Sequence, residues 1–241
     1  MASKLLVELL NSENNLIGVL KQLRYIAKVL NNQELLSWVT SEMEGYKEKD
    51  KDKISKYRIL KSPCLYYSGI NGHIQFSETA LNLNYFADNQ VRKEIENLLT
   101  VKLECPISQI EETIIDKEGK GLIIDYSFLC SKLLEDSGVI ASRIYLKIPK
   151  SKLIEIENSV FNKVQDVIIE LEKSLGVEKL DSLTIDLSKK EIEECNKKID
   201  IIIKNEDSGN SKADRKLNKI GIWVTGISII ITVVSIIIAF K

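Results

Sequence analysis

Histidine occurs once in the 241 residues, at position 73, and proline only three times. A single histidine removes the His-Glu-x-x-His zinc signature outright. Catalysis by His73 would need a nucleophile or carboxylate oriented beside it, and in GINGHIQF at 69–76 the residue reads instead as the start of a hairpin strand. The four cysteines, Cys64, Cys105, Cys130 and Cys195, lie far apart with no Cys-x-x-Cys pair. That argues against a structural zinc site and a disulfide scaffold, and reduced thiols are expected. The eleven glycines form neither a Gly-x-Gly-x-x-Gly nor a Walker loop, so nucleotide-binding loops lack their usual signature. Neither sign of charge dominates: 34 Lys and Arg face 35 Asp and Glu, for a net charge of -1. A nucleic-acid binder ordinarily carries a basic face, so only a local basic patch stays open. The acidic pairs Glu111-Glu112, Glu193-Glu194 and Asp50/Asp52 read as solvated faces or loops, without the converging carboxylates that metal-dependent nuclease chemistry needs. Catalytic, cofactor and metal residues are therefore expected to be none, and the reading leans away from an enzyme.

What is present is a foldable chain with one anomalous run. Hydrophobic residues make up 44% and charged residues 29%, enough apolar surface to build a core. MASKLLVELLNSENNLIG at the start has apolar patches broken by Glu8, Asn11 and Glu13, unlike the continuous core of a signal peptide. From Gly221 through Phe240 the chain has no charge at all. Twenty helical residues rise about 30 Å, roughly the hydrocarbon thickness of a bilayer, so residues 220–240 are expected to be a transmembrane anchor. Upstream lie Lys212, Arg215, Lys216 and Lys219 against Asp214, and downstream only Lys241. The positive-inside rule then keeps the preceding body in the cytoplasm. Within the run Gly221, Thr225, Ser228, Thr232 and Ser235 share one helical face, the kind of small-residue stripe along which spanning helices associate.

Ahead of that run the periodicity predicts an α+β body. Leu5, Leu6, Leu9, Leu16, Val19, Leu20, Leu23, Ala27 and Leu30 have helical spacing, with NSEN at 11–14 as a break. Asn31 and Glu34 have capping-box spacing before a helix through Leu35, Leu36, Trp38, Val39 and Met43, giving an N-terminal helical hairpin over 1–46. A mixed part over 47–148 opens with the charged loop KEKDKDK and holds short strands at 57–60, 64–67, 73–76, 120–128 and 139–148. Asn71-Gly72 is its hairpin signal, Asp88 can cap a helix through Leu99, and Pro106 reads as a break. Long amphipathic helices follow over 149–205, the first carrying Leu153, Ile156, Val160, Val164, Val167, Leu171 and Leu175 and ending at Gly176. Residues 206–219 read as a basic linker to the anchor.

Glu42 and Glu44 fall in the last turn of the second helix, where the dipole disfavours acids, and a salt bridge to Arg58 or Lys56 would compensate. The same segment carries a likeness. Leu35, Trp38, Glu42 and Gly45-Tyr46, followed by Tyr57-Arg58, resemble the signature of the AbiTii-like abortive-infection family. Its helix typically ends in Leu-x-x-Trp-x-x-x-Glu-Leu-x-Gly-Tyr, ahead of Pro-x-Tyr-Arg. Residues 148–176 look like that family's closing helix, so the likeness spans about 4–176. Met43 stands here for leucine, Ser55 for the proline, and Phe161 for the arginine after Val160. The resemblance implies Trp38, Glu42, Gly45, Tyr46, Tyr57 and Arg58 as motif residues and carries over no catalytic ones. It also implies antiphage defence in bacteria, ending in arrest or death of the infected cell.

The function expected from both lines is a sensor or effector on the bacterial inner membrane that acts through oligomerisation or membrane perturbation. Its partners would be the lipid bilayer, further copies of itself and a phage or host trigger protein. Two rivals stand beside it: a membrane-tethered nuclease-like or other toxin enzyme, and a non-catalytic scaffold docking a partner on residues 150–205.

Overall fold

In the computed structural model the described residues are 2–11, 16–48, 53–81, 89–116, 119, 121–130, 138–182 and 188–205. They form an α+β fold of eight α-helices and two small antiparallel sheets. The expected linker at 206–219 and the expected anchor at 220–240, with Gly221, Thr225, Ser228, Thr232 and Ser235, lie outside the described residues. Among the described residues no helix is long and apolar enough to cross a membrane.

Helices α1 (Lys4–Asn11), α2 (Leu16–Val29) and α3 (Gln33–Glu44) open the chain, and α2 packs against α3 as a hairpin. The cap of α3 sits one residue later than the sequence suggests. Asn32, not Asn31, accepts from the Leu35 N–H at 2.8 Å, while Asn31 turns the chain at φ 52°. Asn tolerates the left-handed region that a bulkier residue would resist. Asn32 is buried because its amide also reaches Asn196 and Asp200, at 3.2 and 3.1 Å, on a later helix.

Strand β1 (Ile59–Lys61) pairs antiparallel with β4 (Thr100–Lys102). Residues 56–58 are a single 3-10 turn, so the strand expected at 57–60 begins two residues late. The second sheet is ordered β3-β2-β6-β5, from β2 (Tyr66–Asn71), β3 (Ile74–Ala80), β5 (Leu122–Asp125) and β6 (Ile140–Ile148). The β2–β3 loop is Gly72–His73, since Asn71 still pairs with Ile74. Gly72 at φ 58° takes the first loop position, where a type II′ turn places its glycine, and His73 is exposed on the loop.

Helix α4 (Asn89–Leu98) leads into β4, and α5 (Ile107–Ile115) follows Pro106. Proline here starts a helix rather than interrupting the chain: a missing N–H is harmless where the first helical donors have no partner anyway. Helix α6 (Lys150–Leu175) buries all seven apolar positions of its predicted stripe, and Ile168 beside them. It packs against α1, α5, α7 (Val177–Ser182) and α8 (Lys189–Lys204). Helix α8 begins with a full capping box between Ser188 and Glu191. One contiguous core runs from Leu5 through the α2–α3 hairpin, the sheets and α6 to Ile199.

Candidate functional site

The last turn of α3, the 3-10 turn at 56–58 and the middle of α6 meet around one buried ion pair. Glu42 and Arg58 both have side chains of 0% relative exposure. Helix α3 brings Trp38 and Glu42 to one face, four residues apart. Gly45 then reverses the chain at φ 85°, where a β-carbon would lie 2.7 Å from the Glu104 carbonyl oxygen. Only glycine fits both demands. The reversal lets the Tyr46 N–H donate to that same carbonyl at 2.8 Å and turns the Tyr46 ring back onto the helix end.

The Glu42 carboxylate is saturated by donors. Tyr46 and Tyr57 each donate a phenolic O–H to Oε1 at 2.7 Å. Arg58 donates through Nε to Oε2 at 3.1 Å and through Nη2 to the same oxygen. Its remaining nitrogen, Nη1, donates to the carbonyls of Leu103 at 3.1 Å and Cys105 at 2.8 Å. The guanidinium also lies 5.3 Å from the centre of the Tyr46 ring. The Trp38 indole N–H donates to the Tyr57 hydroxyl at 3.0 Å. Burial first, and the neighbouring Glu42 charge second, push both the Tyr46 and the Tyr57 phenols above their ordinary range. The nearby Ser55 hydroxyl partly offsets that rise. Burial alone would depress Arg58, but the Glu42 charge and hydrogen bonds outweigh it and raise the guanidinium. The tyrosines are therefore neutral donors and the arginine a permanent cation at any physiological pH.

Lys163 is a member that the sequence reading missed. It is 2% exposed on α6, lies 5.9 and 5.6 Å from the Trp38 and Tyr57 rings, and donates to the Ile203 carbonyl of α8 at 3.0 Å. Its place beside Val164 and Val160 reads as the flank of an apolar stripe. Two aromatics three-dimensionally close to it were the missing signal, and linear spacing does not supply that.

The structure thus gathers Trp38, Glu42, Gly45, Tyr46, Tyr57 and Arg58 into one cluster. Chemically, it is a closed polar network: no buried side-chain nitrogen or oxygen lacks a partner among the described residues. Glu44 stays outside it, bound to Arg24 at 3.0 Å and Lys47 at 3.6 Å. A cavity of about 280 Å³ adjoins the network, lined by Trp38, Tyr46, Ser41, Ser55 and the α8 end residues Ile203 and Lys204.

Elsewhere the acidic pairs separate in character. Glu193 and Glu194 are exposed, whereas Glu111 is half-buried against α6, where burial and the Glu157 carboxylate push its pKa up to about 7. Reading Glu111 as simply solvated is therefore corrected: the helix capped by Pro106 turns it toward α6. Asp50 and Asp52 lie outside the described residues. Cys64, Cys105, Cys130 and Cys195 are free thiols. Among the described residues no group of three or more His, Cys, Asp or Glu side chains could hold a metal ion.

No curated protein and no solved structure matches this chain. A family match does exist, and it extends across the α3 motif, the buried network and both long helices. The AbiTii family model matches residues 1–217, and the chain therefore belongs to the AbiTii family.

Proposed function

We propose that this chain is an abortive-infection defence protein whose α+β body works on the cytoplasmic face of the bacterial inner membrane. The observation that carries the reading is the AbiTii match over residues 1–217, which points to antiphage defence. Membrane attachment rests on the uncharged stretch from Gly221 through Phe240 and the basic residues ahead of it. In this reading the body receives a phage-dependent signal from a trigger protein or ligand. Copies then associate along Gly221, Thr225, Ser228, Thr232 and Ser235, and the assembly perturbs the membrane. The buried network supports a structural role for the motif: its groups saturate one another, leaving neither a nucleophile nor a base facing solvent.

The test compares the full chain with a version ending at residue 219 during phage challenge, with a membrane-impermeant dye present. The full chain is expected in the membrane fraction, with dye entering infected cells before lysis. The shortened chain is expected in the soluble fraction and to lose protection. Protection by the shortened chain, without any change in permeability, would overturn the membrane-effector reading.

A further inference from the structure

A second cleft, of about 370 Å³, opens where the two sheets meet the start of α6. Its size falls in the range of small-molecule sites, about 300–1,000 Å³. Four of the five charged residues on its lining are lysines, Lys56, Lys61, Lys147 and Lys152, against the single carboxylate of Glu155. That is a sharp local departure in a chain whose net charge is -1. The lysines come from four places: the 3-10 turn, β1, β6 and the first turn of α6. Lys147 is paired with Glu78 at 2.7 Å and Lys152 with Glu155 at 2.7 Å, so these two ammonium groups already have carboxylate partners. Lys61 forms no ion pair among the described residues. Helix α6 adds no acidic residue in its first turn, so its positive end is not neutralised there.

The uncharged lining is mostly apolar, with Tyr57, Ser62 and Ser159 as its polar members. Val101, Leu146 and Ile148 are buried core residues, and Leu60 and Pro63 flank them. Cations spread over several elements suit a group with several negative oxygens, and lysine serves phosphate as a point charge. An apolar floor suits a ring. We propose that this cleft binds a phosphorylated small molecule of mononucleotide size, phosphate against the lysines and ring against the floor. The site needs no glycine-rich loop, because side chains rather than backbone N–H groups supply the charge.

The cleft also touches the buried network. Tyr57 belongs to its lining and donates to Glu42, and its ring lies against Lys163, which holds the last turn of α8. A ligand in the cleft therefore has a physical route to the segment that leads toward residue 206. This proposal goes beyond the defence reading and does not rest on it.

The test is calorimetric titration of the purified full chain in detergent with AMP, ATP and inorganic pyrophosphate, at low and moderate salt. The expected result is saturable nucleotide binding, at least 10-fold weaker in K61E/K152E, weakened in the same direction in the milder K61Q/K152Q, and unchanged in K198E. Pyrophosphate alone should bind more weakly than either nucleotide, since it leaves the apolar floor empty. No heat from any of the three up to millimolar concentration would overturn the proposal. So would equal affinity of wild type and both lysine pairs, or pyrophosphate binding as tightly as AMP. Either failure leaves phage protection and membrane fractionation untouched, so the two readings fall separately.

Discussion

Glu42 and Arg58 lose all contact with water on folding, and each is tolerable only because the other is there. Removing one partner leaves a buried charge unmatched, so E42A and R58A are each expected to lower stability by about 3–5 kcal/mol. Replacing both with apolar residues of similar volume removes the desolvation cost along with the attraction. E42L/R58M should therefore be clearly more stable than the sum of the two single losses, as chemical denaturation of the three variants would read out. Additive losses would mean that the pair is not coupled. Part of this arrangement was legible. An acid in the last turn of a helix needs a cation, and Arg58 was one of two basic residues named for it. Lys163 was not legible, because its partners come from α3, the 3-10 turn and α8, and no local pattern announces a lysine stem buried among rings.

At the scale of elements, two contacts of α6 make distinct predictions. The Glu111 carboxyl on α5 has its pKa raised to about 7 by burial and by Glu157, against an ordinary 4.5. The folded state thus keeps a proton that the unfolded chain has already released. Stability should fall as pH rises from about 4.5 to 7 and level off above, by on the order of 1–3 kcal/mol once partial exposure is allowed for. Melting temperatures across that window should show the slope in the wild type and a flatter profile in E111Q. An unchanged slope in E111Q would assign it to other groups. The second contact is the Lys163 hydrogen bond to the Ile203 carbonyl. K163M keeps most of the stem's packing and loses that bond, so amide exchange should quicken at residues 201–205 and stay unchanged in α2. The long stripe of α6 was readable because one helix face meets one core. Helix α5 was not, because proline capping a helix start and proline as a breaker look alike without the tertiary contacts that follow it. The one-residue shift from Asn31 to Asn32 has a similar cause: both are asparagines, and only packing against α8 decides which one caps.

At the scale of the whole molecule, the body and the uncharged run from Gly221 through Phe240 answer to different physics. The body gains its stability from one contiguous core, while a spanning helix would be held by the bilayer. Replacing Gly221, Thr225, Ser228, Thr232 and Ser235 together by leucine should preserve membrane insertion, because leucine is at least as apolar. It should weaken self-association and protection if close helix approach matters, as crosslinking in membranes and phage plating would show. Retained protection with an unchanged oligomer would reduce the segment to a tether. The family match places the chain among AbiTii proteins, and the function proposed for it is to make infection abortive. The most direct measurement follows phage yield and host survival in cells with and without the full chain, at low and high ratios of phage to cell. The expected result is a lower yield per infected cell and a protected culture at the low ratio, with death of the infected cells and collapse at the high ratio. Equal yield across a broad panel of phages, or survival of the cells infected at the high ratio, would contradict it.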